Sequence, residues 1–167
     1  LMAIYPKPGT TQSVVEHARY SCLIRELAIN EPDHVWCSDV TYIRMAAGFM
    51  YLVAVMDFSS RFVLSWSVSN SLELLFCMDA LDEALSLSKP KIFHSDQGSQ
   101  YTCSDFVEEL ESRGIEISMS GRGRCFDNIL AERLWRTVKY EEIYLREYGD
   151  GRELIRSLRQ YFDYYNY

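Results

Sequence analysis

Apolar positions change their spacing along the chain, and the changes mark out its elements. Residues 1–34 hold Pro6, Pro8, Gly9 and Pro32 with weak periodicity, and read as a linker with one short helix near Val14–Leu27. Val35–Ile43 is rich in β-formers and predicts a strand. The unbroken apolar run Phe49–Asp57 suits a strand buried on both faces. In Arg61–Ser69, Phe62, Leu64, Trp66 and Val68 alternate with Val63, Ser65 and Ser67, the pattern of a half-buried strand. Phe58–Ser60 then makes the hairpin turn.

Helical spacing follows. Asn70 and Glu73 have the offset of a capping box, and Leu74, Met78, Leu81 and Leu85 form a helical stripe that Pro90 ends. Lys91–Ser95 predicts a short strand, Ser104–Arg113 a helix ended by Gly114, and Ile115–Ser118 another strand. Gly121 and Gly123 mark a loop. Asp127 or Asn128 can cap a long helix reaching about Tyr144, and a last helix covers Arg152–Tyr164. The order β-β-β-α-β-α-β-α is that of the RNase H-like fold, an α/β domain with a five-stranded mixed sheet flanked by helices.

Composition narrows the class. The 167 residues suit one domain, and 48% hydrophobic with 14% aromatic content can bury a core. No apolar run reaches the length of a membrane span, and no signal peptide opens the sequence. The five cysteines lack CxxC spacing, so neither zinc nor a disulfide framework is expected, and a reducing cytoplasm fits best. A net charge of −7 argues at first against nucleic acid. Between Met119 and Lys139, however, Arg122, Arg124, Arg133, Arg136 and Lys139 outnumber Asp127 and Glu132. This is one basic patch on an acidic body. Leu1 at one end and an aromatic run at the other suggest a piece of a longer protein, with 35–167 as its core.

Three carboxylates fall where this element order would gather them. Asp39 lies within the first strand, where a carboxylate is costly to bury unless it is paired or binds a metal. Asp96 follows a short strand, at the end where α/β sheets place ligands. Glu132 begins the long helix, with 35 residues between it and Asp96. Magnesium prefers hard oxygen ligands, and two ions can activate an attacking oxygen and stabilise a leaving one in phosphoryl transfer. Each residue also has a plainer reading: Asp39 at an edge strand's surface, Asp96 in an Asx turn, Glu132 on a solvated helix face. Asp57 is expected to terminate its hairpin. On the long helix, Leu130, Ala131, Leu134 and Val138 share one face with Trp135 at its border. Glu132, Arg136 and Lys139 cluster on another, to meet phosphates or simply to form a solvated Glu–Arg pair.

The strings WCSDVTYI, HSDQGSQYT and GRCFDNILAERLWRTVKYE resemble the catalytic region of bacterial insertion-sequence transposases of the IS-three family, which share the retroviral integrase core. The resemblance runs from about Pro32 to Tyr167 and implies a DDE transposase. Asp39, Asp96 and Glu132 would be the catalytic and metal-binding triad, holding two Mg²⁺ or Mn²⁺ ions. Lys139 matches the basic residue that often completes the signature. It also implies an N-terminal helix-turn-helix region and a C-terminal basic segment outside this chain. Lys139, Arg136, Arg122, Arg124, Gln97 and Gln100 are candidate DNA contacts, with Gly98 allowing close backbone approach. Element ends and target DNA would be the partners, and a homo-oligomer the active form. A nuclease of the same fold and a non-catalytic remnant that only binds DNA or partners are the alternatives.

Overall fold

The computed structural model describes residues 20–46, 48–121 and 129–167. Among the described residues nine elements follow the predicted order, and a 3-10 turn adds a tenth. They are β1 (Val35–Arg44), β2 (Phe49–Asp57), β3 (Val63–Ser69), α1 (Leu75–Leu87), β4 (Ile92–Ser95), α2 (Ser104–Ser112), β5 (Glu116–Met119), α3 (Ile129–Glu141), a 3-10 turn (Ile143–Leu145) and α4 (Gly151–Asn166). The sheet order is β3-β2-β1-β4-β5, antiparallel across β3, β2 and β1, and parallel across β1, β4 and β5. This is the five-stranded mixed sheet of the RNase H-like fold.

Side chains alternate across the sheet, so each strand feeds two cores. Trp36, Val53, Val55, Phe93 and Met119 pack under α1 and α2 with Phe76, Ala80, Leu81, Phe106 and Leu110. On the opposite face Cys37, Leu52, Ala54 and Met56 meet Leu134, Trp135 and Val138 of α3 and Leu154, Leu158 and Phe162 of α4. The continuous apolar run of β2 has this cause: both its faces are covered. In β3 the register slips at Val55/Met56, so Val63 pairs with Met56 and joins Trp66 and Val68 on the α4 side. Ser65 falls on the α1 side instead, where its hydroxyl donates to the Ala80 carbonyl at 2.5 Å. The strand is thus covered on both faces rather than half-buried by simple alternation.

Turn chemistry fixes the hairpins. Gly48 at φ 88° closes β1–β2, a left-handed position that suits glycine. Asp57 holds the β2–β3 turn, its carboxylate accepting from the Ser60 amide at 2.6 Å and hydroxyl at 2.7 Å, and also from the Asp33 amide at 2.9 Å. It terminates the hairpin as expected.

Two local expectations are corrected. The predicted capping box at Asn70 and Glu73 does not form: α1 starts at Leu75, with Leu74 at its N-cap and no side-chain cap. The Leu72 carbonyl is engaged by the Gln100 amide at 3.2 Å, so this stretch is held as a loop against the β4–α2 connection. The helix is buried through Phe76, Cys77, Ala80, Leu81 and Ala84, leaving Leu74, Met78 and Leu85 at the flank. The short helix expected near Val14–Leu27 is absent over residues 20–27; residues 14–19 lie outside the described ones. Instead Ser21 and Leu23 bond to β5, through Met119 N–H to the Ser21 carbonyl (3.3 Å) and Leu23 N–H to Ser118 Oγ (2.9 Å). Ile24 packs on Val35 and Ile92.

Candidate active site

The parallel ladder between β1 and β4 ends at the pair Cys37–His94. Asp39 and Asp96 each stand two residues beyond it, where the strands separate. They line one cavity of about 360 Å³ with Thr41, Tyr42, Tyr51 and Gln100. Hydrogen bonds anchor the cavity from below: Tyr101 and Ser38 hydroxyls meet at 2.9 Å, tying the β4–α2 loop to β1. His94, fully buried, sits between the Ser118 and Ser120 hydroxyls at 2.9 and 3.1 Å. These contacts give it a structural role.

Among the described carboxylates, Asp39 has the most strongly raised pKa. Burial pushes it up to about 6, and the neighbouring Asp96 and Glu132 carboxylates add to the rise. The Trp135 indole, donating to Asp39 Oδ2 at 2.9 Å, opposes it. Asp96 is exposed, and its Oδ1 accepts the Gly98 amide at 2.8 Å, so the Asx turn read from sequence does form. A Cβ on Gly98 would come within 2.9 Å of Asp96 Oδ1 and 3.3 Å of Gln100 Oε1. Glycine here spares those two side chains a close contact.

Glu132 is exposed in the first turn of α3, and Trp135 follows one turn later. Lys139, a turn further, carries its ammonium 5.1 Å from the Tyr42 ring centroid. Burial lowers the Lys139 pKa, with Asp39 pulling the other way. Arg136 lies 5.9 Å over the Tyr140 ring and is exposed.

The candidate residues are therefore gathered unevenly. Asp39 and Asp96 share a cavity, and Glu132 acts on Asp39 electrostatically from the flanking helix. Among the described residues no three His, Cys, Asp or Glu side chains stand close enough to hold one ion. Gln97 is half-buried, and Gln100 is buried with its amide nitrogen on Leu72. Arg122, Arg124 and the cap candidates Asp127 and Asn128 lie outside the described residues. The sequence reading missed Trp135 as the partner of Asp39; its place one turn after Glu132, at the border of the apolar face, was the available signal.

The donor chemistry fits a divalent cation. Asp39 and Asp96 offer carboxylate oxygens to one cavity, and magnesium is commonly held by one or two carboxylates with waters completing its shell. Asp96 Oδ2 has no protein donor among the described residues. The four described cysteines are free and do not pair.

The family model described as Integrase core domain matches residues 29–125, and a second model of that description matches 113–167. The chain is 31% identical over 144 residues to the transposase for insertion sequence element IS629 of Shigella sonnei, covering 85% of this chain and 49% of that protein. It is 36% identical over 129 residues to the transposase InsF for insertion sequence IS3A of Escherichia coli K12, covering 75% and 44%. The chain thus spans about half the length of the curated relatives it matches. Among solved structures it resembles the HTLV-2 integrase catalytic core domain in complex with magnesium, with a TM-score of 0.55 and 26% identity over 65% of this chain and 68% of that one. A simian T-cell lymphotropic virus intasome is similar in fold, with a TM-score of 0.63 and 21% identity over 76% of this chain and 45% of that one. On these matches and on its sheet topology, the chain belongs to the integrase core domain family.

Proposed function

We propose that this chain is the catalytic core of a DDE-type transposase that cuts and joins DNA. One observation carries the reading: two carboxylates at the parting of β1 and β4 share a cavity, and Glu132 on α3 bears electrostatically on the first. Asp39, Asp96 and Glu132 would hold two Mg²⁺ or Mn²⁺ ions, which supply charge neutralisation and Lewis acidity at the scissile phosphate. The magnesium in the HTLV-2 core supports the choice of cation.

The protein's own groups position the reactants. Trp135 fixes the Asp39 carboxylate, and the Gly98 amide fixes that of Asp96. Lys139 and Arg136 stand on the outer surface of α3 to meet the phosphodiester backbone. In the first step water attacks a phosphodiester at the element end, breaking the P–O3′ bond and leaving a 3′-hydroxyl and a 5′-phosphate. In the second that 3′-hydroxyl attacks a target phosphodiester, forming a new P–O3′ bond and displacing another 3′-oxygen. No protein side chain bonds to DNA. Residues 1–34 would lead from an N-terminal DNA-recognition region, and the active form would be a homo-oligomer pairing two ends in the bacterial cytoplasm. Among the described residues no helix is long and apolar enough to cross a membrane.

The test is strand transfer by the full-length protein with element-end DNA and Mg²⁺ or Mn²⁺. Joining is expected from wild type and absent from Asp39→Asn, Asp96→Asn and Glu132→Gln. Lys139→Ala is expected to weaken joining and to lower its salt dependence, while Arg152→Ala on α4 leaves both unchanged. Retained joining in Asp39→Asn and Asp96→Asn would overturn the assignment.

A further inference from the structure

A second cavity, of about 300 Å³, opens between the β2–β3 turn, α3 and the end of α4. Arg61 and Arg133 line it together with Thr137 and Tyr165, over a floor that includes Leu130 and Leu134. Both arginines are exposed, and neither has a carboxylate partner among the described residues. In a chain of net charge −7, two such guanidiniums on one cavity call for an anion.

The local geometry holds Arg61 in place. Its backbone sits at φ 69°, a region costly for any residue with a Cβ, and its guanidinium lies 5.7 Å from the Phe58 ring centroid. The same positive charge opposes the burial-driven rise of the Tyr165 and Cys37 pKa values, so it bears on the cavity wall. Thr137 and Tyr165 add hydroxyl groups able to donate to oxygen.

Helical geometry connects this cavity to the carboxylates. At about 100° per residue, Lys139, Arg136 and Arg133 are spaced roughly 60° apart around the outer surface of α3. They step from the flank that faces Asp39 to the flank that faces Arg61. We propose that the Arg61–Arg133 cavity binds a phosphate group of the DNA backbone, seating a strand that crosses α3 on its way to the carboxylates. The inference rests on the reading of the chain as a DNA-joining core and adds a contact to it. Paired guanidiniums match phosphate oxygens in a way a single ammonium does not.

The test uses the full chain with Arg61→Gly, Arg133→Ala and the double variant; glycine relieves the positive φ, so the turn is retained. Inorganic phosphate, titrated at constant ionic strength, is expected to raise the melting temperature of wild type and not of the double variant. A fluorescent DNA duplex is expected to bind the double variant about tenfold more weakly at low salt, with a salt slope smaller by about one. Equal DNA affinity and slope in wild type and double variant would overturn the proposal, even if phosphate alone still distinguishes them. Stabilisation of both proteins by phosphate to the same extent would also overturn it, as an adventitious ion only. Mn²⁺ binding, followed in parallel, is expected to be unchanged in the double variant. Absence of Mn²⁺ binding in wild type would count against the carboxylate site alone, because the DNA arm is read without divalent cations.

Discussion

The indole nitrogen of Trp135 donates to Asp39 Oδ2 across 2.9 Å, joining α3 to the central strand at the candidate catalytic residue. The bond ties the Asp39 carboxylate to the stretch of α3 that has Glu132 and Lys139 one turn either side. Trp135→Phe keeps the ring and removes the donor. Its melting temperature is expected to fall by about 3–12 °C, since one hydrogen bond to a charged group is worth about 1.5–3 kcal/mol. Mn²⁺ affinity, measured by titration, is expected to fall about tenfold, as for other residues that orient a ligand. Unchanged affinity would mean that packing alone orients Asp39.

Asp39 makes stability depend on pH with a definite sign. Its folded pKa is raised to about 6, so the native state binds more protons than the unfolded chain above the ordinary Asp value. Without divalent cations, stability attributable to this group therefore falls as pH rises toward 6, and the loss is complete above it. Asp39→Asn is expected to be more stable than wild type at pH 7.5 and no more stable near pH 4. Urea denaturation at the two values measures the difference. Mn²⁺ affinity of wild type is expected to drop as pH falls below 6, because the proton competes for the same oxygens.

Gly98→Ala tests the crowding around Asp96. The added methyl would meet Asp96 Oδ1 at 2.9 Å and must push the carboxylate or the Gln100 side chain aside. The position has no positive φ, so folding is expected to survive with a stability loss of about 1 kcal/mol. Metal affinity and joining are expected to fall by much more than stability. Crystal structures or NMR of the variant would show whether the Asp96 side chain has moved.

Glu142 provides a contrast away from the site. It is 5% exposed and receives Arg146 Nε at 3.0 Å, the Tyr148 hydroxyl at 3.0 Å and the Ser157 hydroxyl, tying the end of α3 to α4. Glu142→Ala removes the carboxylate that accepts from Arg146 and from two buried hydroxyls, and is expected to cost about 3 kcal/mol in urea denaturation. Mn²⁺ affinity measured on the folded fraction is expected to stay unchanged.

Most of the strands were legible because burial dictates them. The apolar run of β2 records a sheet covered on both faces, and Val35 to Ile43 could be little else than a strand. The β3 slip was not legible, since a bulge changes pairing without changing composition. The failed capping box shows the same limit: Asn70 and Glu73 have the right offset, but the Leu72 carbonyl answers to Gln100, which is distant in sequence. The three carboxylates stood out by element type and flanking residues. Trp135 did not, because an indole at the border of an apolar face is ordinary until its nitrogen is seen to have a charged acceptor. The arginine cavity depends on a turn and two helices meeting, which no local pattern announces.

The end of the β1–β4 ladder at Cys37–His94 gives the two aspartates unequal mechanical footing. Beyond that pair β1 stays bonded to β2 as far as Arg44, with Asp39 opposite Ala54, whereas the chain leaves the sheet after Ser95 and carries Asp96 with it. One carboxylate is thus an anvil fixed in the sheet, and the other is a jaw on the loop that follows it. The two successive reactions proposed for this site need slightly different spans, first for water and then for a sugar hydroxyl. Under that proposal the difference is taken up on the Asp96 side by small backbone rotations after Ser95, while the sheet and Asp39 stay rigid.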